Sequence, residues 1–169
     1  MIDGGPVGGR SIEVRPVSAD DEVLDVLLRA YFKELAGRYW EEQTSWDEFQ
    51  AELTPSVRFL LAREAGEGGA ALGCCALQEN AKSGVDGLEL KRMYVEPAAR
   101  GSGAAKALLR AADALARELG AAQIYLETGL RQPEAMRFYE REGFTEIPRY
   151  PPRVDMDLSV TYARQVGDQ

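Results

Sequence analysis

The segment from Arg100 to Lys106, which reads Arg-Gly-Ser-Gly-Ala-Ala-Lys, has the residue types of a phosphate-binding turn. Gly101 and Gly103 can adopt positive φ and let the backbone approach a ligand without a Cβ in the way. The amphipathic helix that follows, residues 104–119, begins with unpaired N–H groups and the positive end of its dipole, and both favour a phosphate or pyrophosphate. The turn therefore predicts an anion site built from backbone amides.

This turn is neither of the two common nucleotide-binding loops. The Walker loop ends in Gly-Lys-Ser/Thr, and the dinucleotide fingerprint has a third glycine three residues after Gly103, where this chain has Lys106. A Gly-x-Gly turn before a helix is also often only a tight connection. Other residues must identify the ligand.

The amino-acid composition restricts the chemistry. The chain contains no histidine, which excludes an imidazole base, a Ser-His triad and the common zinc sites. An acid or base catalyst must then be Glu, Asp, Tyr, Lys or Cys. The neighbouring residues Cys74 and Cys75 lie in an apolar, strand-like run, which predicts two buried and inert thiols on opposite faces. We therefore expect no disulfide, no metal site and no cysteine nucleophile.

Charge and length restrict the partners. The chain has 169 residues and a formal net charge of −8, which disfavours nucleic acid and suits a cationic or neutral substrate. It has no long uncharged apolar run, and residues 1–9 have no hydrophobic signal core. We expect one domain in a cytoplasmic protein that does not contact membranes.

Hydropathy periodicity predicts the elements that position these residues, in the order β-α-α-β-β-β-α-β-α-β-β. The predicted helices are 18–36, with Ser18 as N-cap, then 45–53, 104–119 and 133–142. The predicted strands are 11–17, 56–63, 70–78, 88–95, 123–128, 144–148 and 158–163. Residues 11–164 form the predicted domain, between a disordered tail at 1–10 and a C-terminal tail at 165–169.

Two motifs resemble those of the GNAT superfamily of acyl-CoA-dependent N-acyltransferases. Arg100, Gly103 and Ala105 match the family's core pattern, Gln/Arg-x-x-Gly-x-Gly/Ala. The segment from Tyr139 to Phe144 matches its other hallmark, Tyr-x-x-x-Gly-Phe after a short helix. The resemblance implies an α/β GNAT fold, with a mixed central sheet of about seven strands and helices on both faces. It also implies a splay between the fourth and fifth predicted strands.

The resemblance further implies that acetyl-CoA is the co-substrate. The pantetheine arm would lie along the strand edge near Met93 and Val95, and the pyrophosphate would lie on the amides of the turn. Gln132 stands where many relatives have an asparagine that contacts the arm. The implied cofactor-binding residues are Met93, Tyr94, Val95, Arg100, Gly101, Ser102, Gly103, Ala104, Ala105, Lys106 and Gln132.

Direct transfer of the acetyl group to a primary amine needs a base for the amine and an acid for the leaving thiolate. Tyr139 is at the position of the family's acid, although its spacing also suits a core aromatic. Relatives place a base at the position of Glu89 or of Glu127. Glu89 could instead be a solvent-facing strand residue, and Glu127 could pair with Arg131. Both glutamates remain candidates for the base, and we favour Glu127 because residues at the end of a strand are less often required for core packing.

The predicted acceptor is a primary amine of a small molecule, a peptide or a protein. By resemblance, residues 31–42 would cover its site, and Trp40 and Trp46 are candidates to line it. The segment 148–156 varies among relatives and implies no particular substrate. The alternative function is a regulatory module that binds acyl-CoA without turnover. A homodimer is compatible with the resemblance, because relatives often pair.

Overall fold

The computed structural model describes residues 2–7 and 10–167. They form one eight-stranded mixed sheet in the order β1-β2-β3-β4-β5-β6-β8-β7. The strands are β1 (Ile2–Val7), β2 (Arg10–Val17), β3 (Arg58–Glu64), β4 (Ala71–Gln78), β5 (Leu88–Val95), β6 (Gln123–Gly129), β7 (Thr145–Ile147) and β8 (Ser159–Gln165). The α-helices are α1 (Glu22–Arg38), α2 (Trp46–Ala51), α3 (Ala104–Glu118) and α4 (Pro133–Arg141).

Alternating strand residues supply two cores, one on each face of the sheet. Leu60 and Cys75 pack in the core that contains α3 and Tyr139, whereas Phe59 and Cys74 pack in the core that contains α1. Both cysteines are fully buried, and burial raises the pKa of each thiol above its ordinary value. The prediction of two buried thiols on opposite faces is confirmed, and helices cover both faces.

Helix α1 begins later than predicted. Its N-cap is Asp21, whose carboxylate accepts hydrogen bonds at 2.9 Å from the second and third helical N–H groups. The prediction of Ser18 as N-cap is wrong, because an ionised carboxylate at Asp21 satisfies those amides and also complements the helix dipole. The second helix has its capping box at Ser45 and Glu48, where the sequence predicted its start.

The N-terminal segment contains a strand where a disordered tail was predicted. Strand β1 pairs antiparallel with β2, with Ile2 opposite Val14 and Gly4 opposite Ile12. Its glycine-rich sequence has no strand periodicity, so the free edge of β2 and not local preference accounts for the pairing. The remaining residues of the predicted tail, 1, 8 and 9, lie outside the described residues.

The C-terminal end also differs from the prediction. Strand β8 continues to Gln165, and the Val166 N–H donates to the Ala122 carbonyl at 2.8 Å. The predicted tail at 165–169 therefore starts inside a strand. Residues 168 and 169 lie outside the described part of the chain.

The parallel pair β5–β6 separates within the sheet. Its ladder ends at Leu90 opposite Leu126, although β5 continues to Val95. Strand β6 stays paired with β8 as far as Gly129. The edge of residues 91–95 that faces β6 therefore has no strand partner among the described residues, which confirms the predicted splay.

A β-bulge lies where the strands separate. The β4–β5 register shifts so that Arg92 and Met93 lie opposite one residue of β4. Arg92 has φ of 59°, in the left-handed region that side chains other than glycine rarely adopt. Its guanidinium donates to the Phe49 carbonyl and lies 3.6 Å from the Phe49 ring centroid. These contacts hold a strained backbone beside the splay.

Candidate active site

Two cavities lie at the splay and share a boundary. The glycine-rich groove, of about 410 Å³, is bounded by the free edge of β5, the turn before α3 and one side of α4. The aromatic cavity, of about 250 Å³, is bounded by α1, the segment after it, β6 and the segment before β8. The residues that line both are Tyr31, Leu90, Lys91, Arg92, Glu127, Thr128 and Gln132.

The turn before α3 has the geometry of an anion site. Gly101 and Gly103 have φ of 82° and 94°, and Gly103 is the N-cap of α3. A Cβ at either glycine would meet nothing within 4 Å, so the space beside the turn is open. Among the described residues, no acceptor bonds to the N–H groups of Gly101, Gly103, Ala105 and Lys106. The turn thus presents unpaired donors and a helix dipole to the groove.

The charged residues of this turn have different environments. Arg100 lies in the groove lining, but its Nε donates to the Val95 carbonyl at 3.0 Å and its Nη2 donates to Glu34 at 2.8 Å. Lys106 is exposed in the lining and forms no ion pair within the described chain. Ser102 lies outside the lining, and its hydroxyl accepts from the Ala104 N–H. Of the two cations in the turn, Lys106 is therefore the more available to a bound anion.

The other predicted cofactor residues fall into two groups. The free edge of β5 and the start of α3 supply Met93, Tyr94, Val95, Ala104 and Ala105 to the groove lining. Gln132 lies at the N-cap position of α4 and lines both cavities. Apart from Ser102, the structure brings every predicted cofactor residue to the glycine-rich groove.

Glu127 lies on β6 where the two cavities meet. Its Oε1 accepts from the Ser159 hydroxyl at 3.0 Å, and its Oε2 lies 3.0 Å from Arg153 Nε. Burial raises the pKa of this carboxyl above 4.5, although the charges of Arg153 and Lys91 oppose the shift. Arg131 pairs with Glu41 instead, so the alternative pairing of Glu127 with Arg131 is wrong. A carboxylate with a raised pKa suits proton transfer near neutral pH.

Glu89 has a different environment. It is 3% exposed and is not among the residues that line either cavity. Its Oε1 accepts from Gln78 at 2.8 Å and Asn80 at 3.2 Å, and its Oε2 accepts from the Tyr150 hydroxyl at 2.8 Å. The alternative of a solvent-facing residue is therefore wrong. The carboxylate ties β4 and the segment before β8 to β5.

The Tyr139 ring packs against other aromatic rings, and the residue also lines the glycine-rich groove. It is 5% exposed, and its ring centroid lies 5.5 Å from that of Phe144 and 6.5 Å from that of Tyr162. The residue lines the glycine-rich groove, and its hydroxyl forms no hydrogen bond within the described residues. Burial raises the pKa of the phenol well above 10. The phenol therefore stays protonated at neutral pH, which is the form that a proton donor requires.

Tyr31 is a second phenol at the junction. The sequence placed it only in the buried stripe of α1 and in the cover of the acceptor site. It lines both cavities and stacks on Tyr94 with ring centroids 5.6 Å apart. Burial raises its pKa to about 12, although the charge of Arg92 opposes the shift.

An ionic cluster forms the floor of the aromatic cavity. Arg153 Nη2 lies 2.9 Å from Glu52 Oε1, while Lys91 Nζ lies 3.5 Å and Arg92 Nη1 lies 3.6 Å from Glu52 Oε2. Sequence analysis did not single out Arg153, Lys91, Arg92 or Glu52. They come from three separate places in the chain, the end of α2, strand β5 and the segment before β8, and no local pattern joins them.

The aromatic wall of the cavity, which contains Tyr39 and Trp40, is held to the turn between β6 and α4 by hydrogen bonds and ring contacts. Both Arg131 Nη atoms donate to the Glu41 carboxylate at 2.7 Å, and the guanidinium carbon lies 4.6 Å from the Trp40 ring centroid. The Tyr39 hydroxyl donates to Gln132 Oε1 at 3.2 Å. Tyr39 and Trp40 line the cavity, and Trp46 does not. The wall is thereby connected to Gln132 at the junction.

Replacing Gly129 by alanine is expected to break the contact of Tyr39 with the turn between β6 and α4. A Cβ at Gly129 would lie 1.7 Å from the Tyr39 hydroxyl oxygen. We expect Gly129→Ala to displace Tyr39 and to lower the free energy of unfolding by about 1 to 3 kcal/mol. Gly37→Ala, in the last turn of α1 with nothing within 4 Å, should raise that free energy by about 0.5 to 1 kcal/mol. Urea denaturation measures the free energy of unfolding of both variants, and an equal change in the two would contradict the prediction.

Within residues 2–7 and 10–167, no helix is both long and apolar enough to cross a membrane. No group of three or more His, Cys, Asp or Glu residues there could hold a metal ion.

Comparison with known proteins gives consistent matches. The profile of the Acetyltransferase (GNAT) family matches residues 21–144. The chain is 31% identical over 126 residues to a protein named IAA acetyltransferase from Azospirillum brasilense, covering 75% of this chain and 79% of that one. A structure from Klebsiella pneumoniae subsp. pneumoniae MGH 78578, assigned as an acyl-CoA N-acyltransferase, superposes with a TM-score of 0.72 at 26% identity, covering 92% and 98% of the two chains. Spermidine N-acetyltransferase from Vibrio cholerae, in complex with CoA and spermine, has the same fold, with a TM-score of 0.63 at 20% identity over 92% and 95% of the chains.

Proposed function

The chain belongs to the GNAT acetyltransferase family, and from that premise we propose that it transfers the acetyl group of acetyl-CoA directly to a primary amine. The observation that carries the proposal is the position of Glu127, a partly buried carboxylate at the boundary between the two cavities. One cavity would hold the donor and the other the acceptor. A base at their boundary can reach the reacting nitrogen.

Acetyl-CoA is proposed to bind in the glycine-rich groove. The N–H groups of Gly101, Gly103, Ala105 and Lys106, which have no acceptor among the described residues, would take the pyrophosphate, and the Lys106 side chain would add charge. The unpaired edge of residues 91–95 suits the amides of the pantetheine arm, as in strand addition. The CoA complex of the Vibrio cholerae enzyme supports this choice of ligand.

In the proposed reaction Glu127 removes a proton from the acceptor's ammonium group, through the oxygen that Arg153 now holds. The freed nitrogen bonds to the thioester carbonyl carbon, and the carbon–sulfur bond breaks. Tyr139 donates its proton to the leaving sulfur, and the second proton that the nitrogen loses as it becomes an amide returns to Tyr139 through water. The products are an N-acetyl amine and the free thiol of coenzyme A. Both groups would act in one complex of enzyme, donor and acceptor.

The pH profile tests the role of Glu127. A base acts in its ionised form, so kcat/KM should fall as the pH falls through the pKa of Glu127, which burial raises above 4.5. The charge of Arg153 opposes that shift, so Arg153→Gln should move the acid limb to higher pH. Arg58→Gln removes an exposed arginine outside both cavities and should leave the limb in place. Initial rates measured from about pH 5 to 9 test this prediction. An acid limb at the same pH in the wild type, Arg153→Gln and Arg58→Gln would contradict the assignment of Glu127 as the base.

The proposed function itself is tested by thiol release from acetyl-CoA. The acceptor panel contains amino acids, polyamines, aminoglycosides and short peptides, and calorimetry measures acetyl-CoA binding separately. Release that depends on one acceptor class, with the acetylated product identified by mass spectrometry, would support the transferase. Tight binding of acetyl-CoA without release across the panel would favour the non-catalytic acyl-CoA-binding module.

A further inference from the structure

We propose that the acceptor is a small zwitterionic amine, an amino acid whose ammonium group binds at Glu127 and whose carboxylate binds at Arg153. This inference rests on the proposed function, because it concerns the acceptor of the same reaction. It goes further by assigning a carboxylate subsite and a residue that determines specificity.

The first argument is the charge balance of the aromatic cavity. Its lining contains as many carboxylates as cationic side chains. A polyamine would add several positive charges that this partly buried lining does not compensate, and uncompensated buried charge is unfavourable. A zwitterion adds no net charge. The charged lining residues are Glu42, Glu52, Glu127, Lys91, Arg92 and Arg153.

The second argument is the geometry of Arg153. Its Nε lies 3.0 Å from Glu127 Oε2, and its Nη2 lies 2.9 Å from Glu52 Oε1. An ammonium group that binds Glu127 displaces the Arg153 guanidinium from Glu127 Oε2 and removes one anionic partner of that guanidinium. A carboxylate on the same ligand replaces that partner, so the ligand forms one ion pair with Glu127 and a second with Arg153. The planar guanidinium can keep its bond to Glu52 meanwhile, because it has five N–H donors.

The other two cations of the cavity are less suited to this role. Arg92 is 6% exposed, and its guanidinium is held by the Phe49 carbonyl, the Phe49 ring and Glu52. Lys91 lies between Glu52 at 3.5 Å and Glu89 at 4.0 Å. Arg153 alone of the three contacts Glu127, where the reacting nitrogen must bind.

The third argument is the size and chemistry of the cavity. Its volume of about 250 Å³ lies below the range of about 300 to 1,000 Å³ of drug-sized ligand sites. That volume favours a single amino acid over a peptide. The part of the lining that α1, the segment after it and α2 supply favours an apolar side chain on the acceptor, because it contains aromatic and aliphatic side chains: Tyr31, Phe32, Leu35, Tyr39, Trp40 and Phe49.

Matched acceptors test the carboxylate subsite. Each of glycine, leucine and phenylalanine is compared with its amide and with its decarboxylated amine, and spermidine represents a polycation. We expect kcat/KM for leucine or phenylalanine to exceed that for its amide and its amine by about tenfold or more. Spermidine should be a poor acceptor. This comparison uses the wild-type protein, so it does not depend on a variant that folds.

The Arg153→Gln variant tests the assigned residue. The ratio of kcat/KM for the amino acid to that for its amide should fall toward one, while Arg58→Gln should keep the wild-type ratio. The ratio is the informative quantity, because an altered Glu127 or a partly unfolded sample lowers both rates together. Arg153→Lys keeps the charge without the planar fork and should retain part of the preference. A preference that survives in Arg153→Gln would overturn the assignment.

The outcomes separate this inference from the proposed function. Acetyl transfer that is faster to the amides, the amines or spermidine would overturn the zwitterion and leave the transferase in place. No transfer to any acceptor of the larger panel, despite bound acetyl-CoA, would overturn both.

Discussion

Replacing Glu127 by glutamine is expected to lower kcat/KM by about a hundred- to ten-thousandfold, the range of a positioned general base. Glutamine has the same size, and its carbonyl oxygen can keep the contact with Arg153 while its NH₂ group donates to the Ser159 hydroxyl, but it cannot take a proton. The loss should therefore appear at saturating acetyl-CoA, with calorimetric binding of acetyl-CoA close to that of the wild type. The acid limb of the pH profile should disappear with it.

Glu89→Gln is the matched control and should show the opposite pattern. Three donors surround the Glu89 carboxylate, from Gln78, Asn80 and Tyr150. A glutamine NH₂ group would place a fourth donor among them. We expect the free energy of unfolding to fall by about 1 to 3 kcal/mol, with kcat of the folded protein near the wild-type value. A stable Glu89→Gln protein without activity, beside an active Glu127→Gln protein, would transfer the base role to Glu89.

Replacing Tyr139 by phenylalanine is expected to lower kcat by about a hundredfold or more, because the leaving thiolate loses its proton donor. Stability should change little, since the ring keeps its contacts with Phe144 and Tyr162 and no described residue bonds to the hydroxyl. Thermal unfolding of the variant separates these two effects. A large stability loss with unchanged kcat would return Tyr139 to a purely structural role.

Tyr31→Phe is the control for this prediction. Tyr31 also lines the groove, and its pKa of about 12 leaves it protonated at neutral pH. If Tyr139 is the acid, the loss in Tyr31→Phe should be much the smaller. With a thioester whose leaving thiol is more acidic, the difference in kcat between the wild type and Tyr139→Phe should become smaller, because that thiolate can leave without a proton from an acid. If this thioester reduces only the difference in kcat between the wild type and Tyr31→Phe, the acid is Tyr31.

Much of the fold could be predicted because its signals are local. Strand alternation placed Cys74 and Cys75 in opposite cores, and the glycine spacing at Gly101 and Gly103 predicted a turn with positive φ. These features depend on residues a few positions apart. Strand β1 was missed because its partner is the free edge of β2, and the N-cap at Asp21 was missed because several neighbouring polar residues compete for that position.

The sequence by itself determined the family motifs, the glycine-rich turn with positive φ, the splayed strand pair and the short list of possible acids and bases. Only the tertiary structure separated Glu89 from Glu127. Both lie on adjacent parallel strands, but the β5–β6 ladder covers Glu89 and ends at Leu90, before the position of Glu127. Only the tertiary structure also placed Arg153 between Glu127 and Glu52. Such contacts join residues far apart in the chain, and they depend on where strands stop pairing and how loops pack.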